Sequence, residues 1–192
     1  VATVRMGGAD IRIEKLDLAS DAVNGSVTGS FGMATQKLQA AFQLDVTGKR
    51  LLPPELQAKL QRPMRLTGTV EGTPDDLVFR DITLTSNLIA AKLSGTFKGG
   101  AINASVNGNL PDLSLLQPDI AGTAILTATL SGPVATPSVK AEFHAENATF
   151  AGRALQTLTA KLDAVADPAA PRGTLAATGT IDGQAIDISG DI

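Results

Sequence analysis

Residues 37–46, KLQAAFQLDV, decide the fold, because apolar side chains occupy every second position along them. Leu38, Ala40, Phe42, Leu44 and Val46 form the apolar series, with mostly polar residues between them. Successive residues of a β-strand point to opposite faces of the sheet, so these five side chains share one face. The stretch therefore predicts a strand with one apolar face.

The same two-residue period recurs along the chain and predicts an all-β, mainly antiparallel protein. It is present at 64–70, 102–110, 124–130, 139–145, 158–162 and 175–181. The phase changes between Ile13 and Leu16 and between Phe79 and Ile82, where β-bulges are expected because a one-residue shift exchanges the faces. Turns are expected at Asn24-Gly25, Pro74-Asp75, Gly99-Gly100 and Asp182-Gly183.

Helical signals are confined to two short stretches. A helix is predicted near Pro54 to Gln61, since leucines recur there at every fourth position and Pro63 ends the pattern. A single turn is expected at 113–116, between two strands. We expect residues 1–192 to be one elongated segment cut from a longer protein, with a sub-boundary near 50–63.

The composition favours a thin or open β-structure. Hydrophobic residues make up 43% of the chain, yet Trp and Tyr are absent and there are only six Phe. Aromatic side chains normally fill the centre of a compact domain. The net charge of −3 and the lack of a basic block argue against nucleic acid as a partner.

An apolar residue, a small polar residue and a glycine recur together as a tripeptide. In most copies the glycine shares a face with the apolar residues, so it would either lower the floor of a groove or relieve crowding. Both interpretations predict a curved sheet. The copies begin at Val27, Val46, Leu66, Leu93, Val106, Leu130 and Ile188.

No residue pattern indicates catalysis, a metal or a cofactor, so we expect a protein that is not an enzyme. The absence of Cys excludes thiolate chemistry. His144, the single histidine, lies between Phe143 and Ala145 and should point away from the apolar face. Asp75-Asp76 follows Pro74 and is better explained by a turn than by a metal site.

Residues 127–163 resemble the repeat unit of TamB-like proteins. A strand ending Leu130-Ser131-Gly132-Pro133 is followed by Pro137 and by a strand of the form Val139-x-Ala141-x-Phe143. Asn147-Ala148 and the pattern of residues 155–162 continue the likeness. Upstream, residues 113–118 followed by Gly122 and a strand are similar to a segment of AsmA-like proteins. We expect a C-terminal-type segment of a TamB-like translocation and assembly protein.

The resemblance implies a long, curved sheet that forms an elongated, taco-like trough with an apolar interior. It also implies a periplasmic location, an inner-membrane anchor elsewhere in the chain, and a role in carrying phospholipid or assembling outer-membrane proteins. The expected partners are phospholipid acyl chains, together with an outer-membrane β-barrel partner and its clients. The residues expected to line the groove are Leu38, Phe42, Leu44, Leu66, Val70, Leu93, Phe97, Ile102, Val106, Leu126, Leu130, Phe143, Leu158, Leu162, Ile186 and Ile188.

Alternation alone leaves other functions open. Each lining residue would equally suit the core of a closed sandwich. The chain would then be a surface β-sandwich or adhesin repeat. An open sheet edge would instead favour a β-augmentation module that pairs with a strand of an outer-membrane client.

Overall fold

The structure is a computed structural model that describes residues 2–7, 10–47 and 54–192. The chain divides into two compact units. The first comprises Val1–Ser86 and Lys92–Gly100, and the second comprises Asn87–Ala91 and Ala101–Ile192. The sub-boundary expected near residues 50–63 falls within the span of the first unit, and the single elongated segment stays a prediction.

The first unit is an antiparallel sheet in which strands that follow one another in the chain pair with each other. The pairs run from β1 with β2 through to β5 with β6. Its strands are β1 (Ala2–Gly7), β2 (Asp10–Ala19), β3 (Val23–Gly32), β4 (Lys37–Val46), β5 (Met64–Thr73), β6 (Asp76–Thr85) and β7 (Ala90–Lys98), whose first two residues belong to the second unit. The helix α1 (Pro54–Lys59) lies between β4 and β5 and confirms the predicted helix. Leu52 and Pro53 lie outside the described residues.

The second unit repeats this arrangement. Its strands pair in chain order, from β8 with β9 through to β12 with β13. They are β8 (Ala101–Leu110), β9 (Ile120–Pro133), β10 (Ser138–Phe150), β11 (Arg153–Val165), β12 (Arg172–Ile181) and β13 (Gln184–Asp191). A 3₁₀ turn, η1 (Leu113–Leu115), occupies the predicted turn between β8 and β9.

The predicted turn at Pro74-Asp75 joins β5 to β6, and two other predicted turns use residues with positive φ. Asp182 and Gly183 have φ of 47° and 78°, and the Gly99-Gly100 turn is similar. The turn expected at Asn24-Gly25 is wrong, because both residues lie inside β3. The chain reverses at residues 20–22 instead, where the Ser20 hydroxyl accepts a hydrogen bond from the Val23 N–H at 3.0 Å. A serine-capped turn therefore replaces the glycine turn.

Both predicted β-bulges are present. The register of β2 against β3 shifts between Ile13 and Leu16. The register of β6 shifts where Asp81 adopts φ of 50°, opposite the Thr67–Thr69 segment of β5. The shift within Glu146–Thr149 of β10 was not predicted, although the apolar series changes phase there, from Ala145 to Ala148, both of which are buried.

Few side chains of the described residues are fully buried. Among the described residues the strands of each unit pair in linear order, so each sheet is open. The open all-β fold is thus confirmed, whereas the trough shape stays a prediction.

No helix in the described part of the chain has the length and apolar character needed to span a membrane. The buried apolar residues are Val46, Met64, Leu88, Ala104, Leu110, Leu113, Ala124, Ala145, Ala148 and Leu155.

Candidate functional site: the apolar faces

The strand register of the second unit aligns apolar side chains from strand to strand. Leu126 of β9 lies opposite Phe143 of β10, which lies opposite Ala160 of β11. Ala160 in turn lies opposite Ala177, and Ala177 lies opposite Ile188 of β13. Directly opposed residues of antiparallel strands project from the same face. One apolar row therefore crosses from β9 to β13.

Parallel rows on either side extend this surface. One row joins Val106, Ala128, Ala141, Leu162 and Leu175 in the order of their strands. Since residues two apart in a strand share a face, all these rows belong to one surface. We call it the second apolar face. Its members are Ile102, Ala104, Val106, Gly108, Leu110, Ala124, Leu126, Ala128, Leu130, Val139, Ala141, Phe143, Ala145, Leu158, Ala160, Leu162, Leu175, Ala177, Gly179, Ile186 and Ile188.

The first unit presents a corresponding first apolar face. One of its rows joins Ile13, Gly29, Ala40, Val70 and Phe79 across β2 to β6. Neighbouring rows contain the predicted residues Leu38, Phe42, Leu44 and Leu66.

Glycines on the first apolar face provide space for larger neighbours. A Cβ atom added at Gly68 would lie 3.0 Å from the Phe42 ring atom Cζ and 2.6 Å from Ile82 Cγ1. The position therefore has no room for a side chain between its neighbours. This favours the interpretation that such glycines relieve crowding.

The predicted lining residues are neither deeply buried nor, with one exception, freely exposed. Fifteen of the sixteen are half-buried, whereas Ile188 has 62% of its surface exposed. The register places nine of them on the second apolar face and five on the first. Leu93 and Phe97 alternate with polar residues on β7. Leu175, an exposed member of the second apolar face, was not among the predicted lining residues. Its place in the alternating series of residues 175–181 was the signal that could have identified it. A role in lining a groove stays a prediction for all sixteen.

The opposite face of each sheet is polar and carries cross-strand ion pairs. Lys140 Nζ lies 2.9 Å from an Asp163 carboxylate oxygen, and Arg65 Nε donates to Asp45 at 3.0 Å. The hydrogen bond to Asp45, reinforced by its charge, raises the pKa of Arg65. All four side chains are exposed to solvent, so water and salt screen these pairs and they contribute little to stability.

His144 lies on this polar face, as the alternation predicted. Its Nε2 is 3.0 Å from Glu146 Oε1, and its Nδ1 is 3.0 Å from Thr159 Oγ1. The sequence did not indicate these partners, because Thr159 is adjacent only through the pairing of β10 with β11. The absence of an enzymatic role stays a prediction.

Depressions are also present on the polar side. In the first unit, a depression of about 940 Å³ has polar lining side chains that include Asp10, Arg12, Glu14, Lys37 and Glu71. In the second unit, a depression of about 440 Å³ is lined by residues that include Thr127, Thr129, Lys140 and Lys161. These residues alternate along the strands with the members of the apolar faces, so both depressions open on the polar surface.

A family model described as TamB, N-terminal domain, matches residues 19–180, which is most of the chain. The chain belongs to the TamB family. No curated protein and no solved structure matches it. TamB proteins are associated with the cell envelope, and the family is involved in outer-membrane protein assembly and lipid transport.

The matched model corrects one expectation. It describes the N-terminal domain of TamB, whereas the sequence resemblance suggested a C-terminal-type segment. The motifs behind that resemblance are strand ends, turns and alternating apolar residues. Such features recur wherever a TamB-like sheet repeats its strands, so they identify the family without fixing the position in the chain.

Proposed function

We propose that the apolar faces of this TamB-family chain carry phospholipid acyl chains through the periplasm between the inner and outer membranes. In this proposal the full-length protein is anchored in the inner membrane. The chain acts by binding alone and performs no covalent chemistry. The polar face remains in contact with water while the apolar face contacts lipid.

The observation that carries this proposal is the alignment of apolar residues across successive strands. Six strands spaced about 4.8 Å apart give the second unit a width of about 24 Å. One leaflet accounts for about 15 Å of a hydrocarbon core about 30 Å thick. An acyl chain laid across the strands would therefore contact apolar side chains along its whole length. Each CH₂ group kept from water contributes about 0.8 kcal/mol, so a continuous surface lowers the cost of transfer.

Two isoleucines provide a matched test because they differ chiefly in the face that they occupy. Ile188 lies on the second apolar face with 62% of its surface exposed. Ile125 lies opposite His144 on the polar face with 57% exposed. Both side chains reach solvent, so Asp at either position can be hydrated and the fold should survive. Phe143 is a poorer choice, since it packs against the buried cluster.

The experiment measures transfer of a fluorescent phospholipid between vesicles of phosphatidylethanolamine and phosphatidylglycerol. Covering Ile188 with lipid should contribute roughly 1–2 kcal/mol, so Ile188→Asp should weaken lipid binding about 5- to 30-fold. Ile125→Asp should leave transfer at the wild-type rate. Circular dichroism verifies that both variants fold. Equal effects of the two substitutions, or no effect of Ile188→Asp, would contradict the proposal.

A second candidate function, strand addition to a client protein, is favoured by the outer edge of β13. The Gly173 and Ile192 backbones exchange hydrogen bonds of 3.3 and 2.9 Å. Because hydrogen-bonded pairs alternate with non-bonded pairs, the peptide groups of Asp187, Ser189 and Asp191 point away from β12. Within the described residues, β13 pairs with β12 alone, so these groups are positioned to receive another strand.

This second candidate has its own test. Ser189→Pro removes one outward N–H, and an edge strand tolerates the substitution because the hydrogen bonds to β12 remain. Ser189→Ala is the matched control. Binding of an extended peptide from an outer-membrane β-barrel strand should be lost in Ser189→Pro and retained in Ser189→Ala. Retention in both variants would exclude strand addition at this edge, whereas lipid transfer should be normal in both.

A further inference from the structure

Coverage of the second apolar face changes along the strands. At the end where β8 leads into β9, Ala124 and Ala145 are only 3% and 1% exposed. Further along the same strands, Leu130 and Val139 are half-buried. Contacts from outside the paired strands must therefore cover the first end.

Two segments cover this end: the turn that contains η1, and the segment before β7, from which Ile89 packs against the same residues. Leu113, which is 4% exposed, forms a buried cluster with Leu110, Ala124 and Ala145. Leu116 packs against the same cluster, and Phe143 and Leu158 of the sheet pack there too. The two leucines thus contact the surface that an acyl chain would otherwise contact at this end.

Local hydrogen bonds hold this turn in place. Asp112 Oδ1 accepts from the Ser114 N–H at 2.9 Å and from the Ser114 hydroxyl at 2.6 Å. The Leu113 carbonyl accepts from the Leu116 and Gln117 N–H groups, both at 3.0 Å. These bonds satisfy the ends of the turn, so it is an ordered element of the fold.

We propose that Leu113 and Leu116 form an internal stop that ends the lipid-binding surface of the second unit. The proposal rests on the proposed function, because it specifies where acyl chains bind on the same face. Lipid contacts the row that crosses from Leu126 to Ile188 and the rows beyond it, including that of Ala128. It does not reach Ala124, whose surface is already covered by the turn.

The absence of Cys from the chain allows a direct test with single cysteines. Ala128→Cys places a thiol in the open part of the face, and Ala124→Cys places one beneath the turn. Thiol modification depends on access, so the rate of reaction with a maleimide reports coverage. Rates are measured with and without vesicles of phosphatidylethanolamine and phosphatidylglycerol. Each cysteine is studied in the otherwise wild-type chain and together with Leu113→Ala and Leu116→Ala.

In the wild-type background, lipid should slow the reaction at position 128, whereas position 124 should react slowly with or without lipid. Truncating both leucines should speed the reaction at position 124 by on the order of tenfold, and lipid should then protect it. Leu115→Ala is the matched control, since Leu115 lies in the same turn outside the buried cluster. It should leave the rate at position 124 unchanged.

The outcomes separate this inference from the proposed function. Failure of lipid to protect position 128 in any background would overturn the proposed function. If lipid protects position 128 but position 124 still reacts slowly when both leucines are truncated, the internal stop is refuted and the proposed function stands. Fast reaction at position 124 in the otherwise wild-type chain would also refute the stop alone. If the double variant loses its β-sheet circular dichroism signal, Leu116→Ala alone makes the same comparison, because Leu116 is only half-buried.

Discussion

Glycines on the apolar faces should differ sharply in their tolerance of a methyl group. At Gly68, an added Cβ would lie 2.6 Å from Ile82 Cγ1 and 3.0 Å from Ile82 Cα, so the neighbouring strand must shift. Overpacking of this kind costs about 1–3 kcal/mol. The lower entropy of the unfolded chain offsets about 0.4–1 kcal/mol. Gly68→Ala should therefore destabilise the first unit by roughly 1–2 kcal/mol.

Gly108 should show the opposite sign. Its added Cβ would lie 3.5 Å from Ile89 Cδ1 and 3.6 Å from Leu126 Cβ, which are ordinary van der Waals contacts. The buried methyl contributes about 0.8 kcal/mol, and the reduced unfolded-state entropy contributes about 0.4–1 kcal/mol. Gly108→Ala should therefore stabilise the second unit by roughly 1.2–1.8 kcal/mol.

Urea unfolding followed by far-UV circular dichroism measures both effects, since the chain has neither Trp nor Tyr as a fluorescent probe. With a slope near 2 kcal/mol per molar urea, the midpoint should fall by about 0.5–1 M for Gly68→Ala and rise by about 0.6–0.9 M for Gly108→Ala. Each variant is compared with the wild-type transition of its own unit. A neutral Gly68→Ala, or equal shifts in both variants, would refute the argument that neighbouring atoms decide which glycines are required.

Two further predictions concern the turn at Asp182 and the buried end of the sheet. Hydrogen bonds from the Arg153 side chain and from the Ala154 N–H hold the pKa of Asp182 below its usual value. The stabilisation that Asp182 contributes is therefore present at neutral pH and is lost as the pH falls below about 4. The urea midpoint of Asp182→Asn should accordingly be lower than that of the wild type at pH 7, and the difference between the two midpoints should be smaller at pH 3. A difference that does not change with pH would show that ionised Asp182 does not stabilise the turn. Leu155→Ala should destabilise by about 2–5 kcal/mol because Leu155 is buried, whereas Leu175→Ala should cost well under half as much because Leu175 is exposed. Similar costs in urea unfolding would show that Leu175 is covered in solution.

The two-residue period predicted the strands and their faces because it depends only on the geometry of an extended chain. Phe143 and Leu126 could be assigned to apolar faces before any pairing was known. Their position opposite each other depends on the register, which the alternation does not specify. The phase change at Ile13 and Leu16 indicated a bulge because large apolar residues mark both sides of it. The series also changes phase across the shift near Glu146, but only the small Ala145 and Ala148 mark it there, so the bulge was missed.

Other features depended on local competition or on contacts between distant segments. Asn24 and Gly25 are residues that favour a turn, yet the Ser20 hydroxyl accepts from the Val23 N–H and places the turn before them. Asn24 therefore lies within β3. Leu113 was predicted to lie in a turn, but nothing in the spacing indicated that it would cover Ala124. The hydrogen bond between His144 and Thr159 likewise follows from strand pairing and not from sequence distance.

Pairing between strands that follow one another in the chain has a consequence for how such a protein folds and evolves. In each unit, every described pair joins strands that follow one another in the chain, and except for β4 and β5, which are separated by α1, the connection is a turn or a short segment. Closing most of these hairpins therefore costs little loop entropy. Folding can proceed by adding one hairpin to the next, with a low contact order for a β-protein. Each unit thereby approaches a one-dimensional array in which stability is a sum over nearest neighbours. Duplication of a hairpin would lengthen the apolar surface while leaving the existing pairs in register.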